Sequence, residues 1–145
     1  MVERRRARTV RQPRAVVIAV AWVFAATVAC SSPNQGRWQG AFEGGVDGTM
    51  EFTVNARGTE AEGKITGATR RGEKFEADFE GSLNQGFLNA DFEGSSQTGV
   101  GLPAGFRGKL QGDLAEGKAT GTWTVDLIQV RAHYEGAWTA TQLAD

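Results

Sequence analysis

One cysteine, one histidine and a set of recurring glycines and acids are the residues of this 145-residue chain whose types and spacing most invite a chemical reading. Cys30 is the only thiol, in "ATVACSSP" (26–33). A lone thiol can react, bridge to another chain or carry a covalent attachment. His133 is the only imidazole and Cys30 the only thiol, so a His/Cys zinc cluster cannot be assembled, and a lone histidine at the outward parity of the last strand is far more often incidental than a ligand or base. "GTEAEGKI" (58–65) and "GDLAEGKA" (112–119) offer the GxxxxGK part of a phosphate loop. Both lack the hydroxyl that would hold Mg²⁺, carry acids where phosphate would sit and lead into strand patterns, so they read as turns. "GVGLPA" (99–104) mimics a dinucleotide fingerprint without a strand–helix context. An aromatic–Glu–Gly triplet places Glu43, Glu80, Glu93 and Glu135 in equivalent local settings. A shared cation site would need four strands side by side at one height, and a solvated strand face accounts for them without that. Acids are plentiful, but nothing singles out two for glycosidic chemistry. These residues point away from an enzyme and from any metal or organic cofactor.

The setting of Cys30 is more informative. Residues 1–14, "MVERRRARTVRQPR", carry six arginines against Glu3. Residues 15–29, "AVVIAVAWVFAATVA", are apolar except for Thr27. A basic region, a short apolar core and small residues at its end describe a secretory signal peptide over 1–29. The apolar run is 15 residues long, short of the roughly 20 that a membrane-spanning helix needs. The chain from residue 30 onward is therefore expected to be exported.

"TVAC" (27–30) resembles the processing box of bacterial lipoproteins: a branched residue, small residues, then cysteine. The resemblance implies that Cys30 is acylated through sulfur, becomes the N-terminus and holds the protein to a membrane through several fatty-acyl chains, palmitate among them. Each buried CH₂ contributes about 0.8 kcal/mol, so several chains anchor firmly. Thr27 stands where that family most often has leucine, and ordinary cleavage after Ala29 would instead leave Cys30 a free thiol. Ser31, in place of aspartate, implies the outer membrane in Gram-negative members.

Without residues 1–29, Lys plus Arg falls from 16 to 10 and Asp plus Glu from 17 to 16, a net charge of −6. Such a surface repels phosphate backbones, which excludes nucleic acid as a partner. Residues 30–35 are expected to be the lipidated cysteine and a tether spanning under about 18 Å. Residues 36–145 suffice for one domain with its own core.

All 20 glycines lie at or after Gly36, among aromatics that alternate with polar residues. Every second residue marks one face: Trp38–Gly44, Met50–Val54, Gly63–Gly67, Phe75–Gly81, Leu88–Gly94, Phe106–Leu114, Gly121–Leu127 and Val130–Trp138. Period two throughout, with turn residues between the sets, predicts an all-β domain after the signal helix. Short connections favour an antiparallel up-and-down meander of about eight strands, closed or nearly closed into a small barrel. "VDLIQV" (125–130) lacks glycine and proline while the inward parity flips, so a turn near Asp126 gives eight strands and a bulge gives seven.

"ADFEGSLNQG" (77–86) returns as "ADFEGSSQTG" (90–99). Folded about Asn84–Gln85, the copies would set Phe79 against Ala90, Ala77 against Phe92, Phe75 against Gly94 and Leu88 against Gly81. Large-against-small pairing fills a curved sheet. Glycines on the aromatic face predict rings lying over bare backbone.

"GRW" (36–38), opening the first strand, resembles the Gly-x-Trp of lipocalins and related calycin barrels. Two functional expectations remain, and only the second follows the calycin resemblance. In one, the barrel is filled and serves as a binding, interaction or structural module of the envelope, with an envelope protein as partner. In the other, it carries a small apolar ligand beside Trp38, Trp123 and Trp138. The longest connection, "GSSQTGVGLPAG" (94–105), adds Val100 and Leu102 as candidate contacts.

Overall fold

The computed structural model describes residues 30–70, 72–97, 103–129 and 131–144. The signal-peptide reading of 1–29, and Val100 and Leu102, lie outside them.

Eight strands form a closed antiparallel barrel in chain order: β1 (Gly36–Gly44), β2 (Val46–Val54), β3 (Glu60–Thr69), β4 (Lys74–Asn84), β5 (Phe87–Gln97), β6 (Pro103–Ala115), β7 (Lys118–Leu127) and β8 (Ala132–Gln142). β8 pairs back onto β1, with Gly40 opposite Ala140 and Phe42 opposite Trp138. Odd–even segregation drives this closure. One face of each strand is apolar, and closing the sheet buries that face while leaving no unpaired edge. Trp38, Met50, Phe52, Ile65, Phe79, Leu88, Leu110, Trp123 and Trp138 are all buried inside. The parity continues to the strand ends through Val46, Ala61, Leu83, Ala119 and Ala140. Glu, Asp, Lys, Arg and Thr take the outward positions. A barrel wall that faced lipid would reverse this arrangement.

The repeat does form a hairpin, but two residues away from the sequence-based register. Phe79 lies opposite Phe92, Ala77 opposite Gly94, Gly81 opposite Ala90 and Leu83 opposite Leu88. The turn is Gln85–Gly86, with φ of 51° and 83°. A two-residue turn that matches strand twist needs positive φ at both positions, and glycine second meets this better than Asn84–Gln85 would. Glu116–Gly117, at 54° and 76°, repeats the device between β6 and β7. The facing rings find their small neighbours on the outer strands instead. Phe79 is opposite Gly63 of β3, and Phe92 is opposite Gly108 of β6.

β7 and β8 are separate strands joined by residues 128–131, with Leu127 opposite Ala132. Arg131, at φ 50°, takes the conformation a glycine would supply. β5 and β6 extend far into the expected loop over 94–105, with Gln97 opposite Pro103, so most of that stretch is strand. Tyr134 has inward parity yet is 36% exposed, because it lies at the barrel mouth against Gly45.

Candidate functional site

The chain reaches the barrel at what we call its lower end, which also carries the β2–β3, β4–β5 and β6–β7 turns and the C-terminus. Cys30 is exposed there and unpaired. The segment that reads as a tether is bonded to the barrel from Ser32 onward. Ser32 N donates to Ala56 O at 3.0 Å, and Gln35 N donates to Ser32 O at 3.0 Å. Gln142 Nε2 donates to Gln35 O at 2.6 Å and to Pro33 O at 3.2 Å, stitching the segment to the end of β8. Asn34 is buried; its Nδ2 reaches Leu114 O at 3.4 Å, while its own carbonyl accepts from Trp38 Nε1 at 2.9 Å. The segment closes this end of the barrel. Sequence reasoning missed Asn34 because polar residues beside proline read as solvated chain, and the acceptor of its side chain, Leu114 O, is 80 residues away.

The three tryptophans do not gather around one space. Trp38 stacks on Phe52 with centroids 5.8 Å apart, and Phe52 meets Trp138 edge-on at 6.4 Å and Phe79 at 5.9 Å. Trp123 belongs to another ring cluster, meeting Phe42 at 5.9 Å, which leads on to Phe75, Phe106 and Phe92. Trp138 and Trp123 use the same device in opposite directions around the barrel. The Trp138 indole lies over Gly121 of β7 and Gly112 of β6. Its Nε1 donates to Thr122 O at 3.1 Å and Gln111 O at 3.2 Å. The Trp123 indole lies over Gly136 of β8 and Gly44 of β1, with Nε1 donating to Glu43 O at 3.1 Å. Bare backbone lets each flat ring approach the wall and reach a carbonyl that a Cβ would screen. The indole N–H groups of Trp38, Trp123 and Trp138 are thus all bonded to the protein itself.

The outer wall separates the remaining candidates. Glu43, Glu80, Glu93 and Glu135 are exposed, on the distinct strand pairs β4–β5 and β8–β1. Among the described residues no three His, Cys, Asp or Glu side chains are grouped to hold a metal. The two GxxxxGK stretches fall on turns and strands, with none of the helix N-terminus that a phosphate loop requires. His133 Nδ1 lies 2.7 Å from Asp126 Oδ1 across β7–β8, an exposed contact between residues that no sequence motif links. An open groove of about 350 Å³ crosses β1–β3, lined by Arg37, Glu51, Thr53, Glu62, Lys64 and Leu143. Lys64 Nζ bonds Glu76 Oε1 at 2.8 Å. That bond, with the added charge of Glu76 and Asp78, raises the Lys64 pKa above the ordinary 10.5.

No protein-family model matches the chain, and no curated protein matches its sequence.

Proposed function

We propose that this is an exported bacterial lipoprotein, held in the cell envelope through acylated Cys30. In a Gram-negative cell it would reside in the outer membrane. Its barrel acts by binding or as a structural module through its surface, with an envelope protein as partner, and without catalysis. The observation that carries the non-carrier half is the packed interior. A Cβ built at Gly121 or Gly112 would stand 2.6 Å from Trp138, and one at Gly67 would stand 2.6 Å from Phe75. A small apolar ligand beside Trp38, Trp123 and Trp138 would have to displace rings already in contact with wall and neighbours. The anchoring half is supported by the exposed, unpaired Cys30 at the point where the chain enters the barrel.

Two measurements test this. Cys30→Ala in the full chain should release the protein from membranes, and retention after a carbonate wash refutes the anchor. Native mass spectrometry of the released protein should show the bare polypeptide mass. A co-purifying small molecule would refute the filled interior and restore the carrier reading.

A further inference from the structure

We infer that the barrel stands end-on on the bilayer, with its lower rim against the lipid headgroups and its 128–131 rim pointing away. This orientation rests on the lipoprotein reading and adds a geometry that reading does not contain.

Chain length imposes it. An acylated Cys30 places its chains in the membrane, and only Ser31 separates it from Ser32, the first residue bonded to the barrel through Ala56 O. Two residue steps span about 7 Å at full extension. A flexible tether of many residues would let the barrel tumble; this one is fastened at Ser32, Asn34 and Gln35 to β6, β8 and the β2–β3 turn. The end that receives the chain must therefore lie within a few ångströms of the headgroups.

The lower rim is suited to that contact. Phe87, beside the β4–β5 turn, is 42% exposed and is opposite Asn84 on one side and Asp113 on the other. It has no apolar cross-strand partner, whereas an aromatic ring at headgroup depth finds a half-apolar environment. Arg57, exposed in the β2–β3 turn, and Lys118, just after the β6–β7 turn, set cations among this rim's exposed acids Glu60, Asp113 and Glu116, so Phe87 and the short chain, rather than charge, favour this end. The barrel flank over β3–β5 is the poorer alternative. It brings Glu62 opposite Glu80, Glu80 opposite Asp91 and Asp78 opposite Glu93, so lying on it would press acids onto an anionic surface.

Because acylation consumes the only thiol, introduced cysteines report position. The full chain, processed in cells and reconstituted into vesicles of phosphatidylethanolamine and phosphatidylglycerol, would carry Phe87→Cys, Arg57→Cys, Thr122→Cys or Ile128→Cys. Labelling by a membrane-impermeant polyethylene-glycol maleimide is compared with that of the same substitution in lipid-free Cys30→Ala protein. Position 87 should lose labelling several-fold on vesicles, and position 57 should behave likewise. Positions 122, on the β7 flank, and 128, which is 59% exposed at the far rim, should react as in the lipid-free protein. Protection at 122, or equal labelling at 87 and 128 in vesicle-bound protein, overturns the end-on geometry while leaving the anchor intact. Labelling of Cys30 in the otherwise native chain overturns the anchor, and the orientation with it. A near-ultraviolet tryptophan spectrum matching the native protein verifies folding of each variant.

Discussion

Trp138 and Gly121 face each other across β7 and β8, and the indole occupies the space where a side chain at 121 would begin. Its Cε2 and Nε1 lie 2.6 Å from an ideal Cβ there, and the Gln111 carbonyl closes the other side. Residue 121 is therefore a contact surface for the ring. The same relation recurs between Trp123 and Gly136, so the interior is lined by aromatic plates lying on a thinned wall.

Gly121→Ala should accordingly be among the costliest single-methyl additions in the chain. Overpacking of this kind costs about 1–3 kcal/mol, and here the obstruction is backbone on one side and a buried ring on the other. Gly105→Ala is the matched control, because its nearest neighbours stand 3.6 Å away and are side-chain ends. Surface changes of that sort fall within about 0.5 kcal/mol. Urea unfolding measures both. Equal midpoints for the two variants would refute the plate-on-glycine account.

The two-residue turns offer the opposite sign. Gln85 and Glu116 hold positive φ without the tolerance that asparagine has for it. Gln85→Asn and Glu116→Asn should each raise stability by a few tenths to about 1 kcal/mol. The pair should add, since the turns join different strand pairs. Thermal melts of the single and double variants check this, and a loss from either would mean that the side chain replaced has a role in the fold.

Lys64 gives a pH test. Its folded pKa is raised by the bond to Glu76, so the stability it supplies is complete below the ordinary lysine value of 10.5. That stability is lost as pH climbs through the higher folded value. The pair is exposed, so the effect on unfolding is small and salt-sensitive. Direct observation is sharper: the Lys64 ¹³Cε titration midpoint should fall towards 10.5 in Glu76→Gln. A midpoint that does not move would show the bond absent in solution.

Period two distinguishes inward from outward, and it placed Trp38, Phe79, Phe92 and Trp123 correctly inside. It cannot fix pairing, because a slip of two residues returns every side chain to the same face. Phe79 opposite Ala90 and Phe79 opposite Phe92 satisfy the same pattern, and only the demand for positive φ at Gln85–Gly86 separates them. Parity also carries no information about height in the barrel, so Tyr134 reads as core although the mouth leaves it partly exposed. The separation of the tryptophans into two clusters depends on the shear of the closed sheet, which no local pattern encodes.

Asn34 is the sharpest case of information that resides in remote contacts. Its amide reaches Leu114 O at 3.4 Å, and its buried position holds the 30–35 segment over the barrel end. Asn34→Ala removes that donor and leaves a gap beneath the segment, a loss of roughly 1–3 kcal/mol for a buried polar group and its partner. The Trp38 N–H keeps its acceptor, which is the backbone oxygen of residue 34. Asn34→Asp discriminates further. A carboxylate there cannot donate to Leu114 O and must be buried with its charge, so the loss at neutral pH should exceed that of alanine. Burial raises the pKa of such an acid, so the folded state binds its proton more readily than the unfolded chain, and the penalty should shrink as pH falls. Urea midpoints of the two variants at neutral and mildly acidic pH decide the matter. If aspartate and alanine behave alike at both, residue 34 is hydrated and the segment does not seal the barrel.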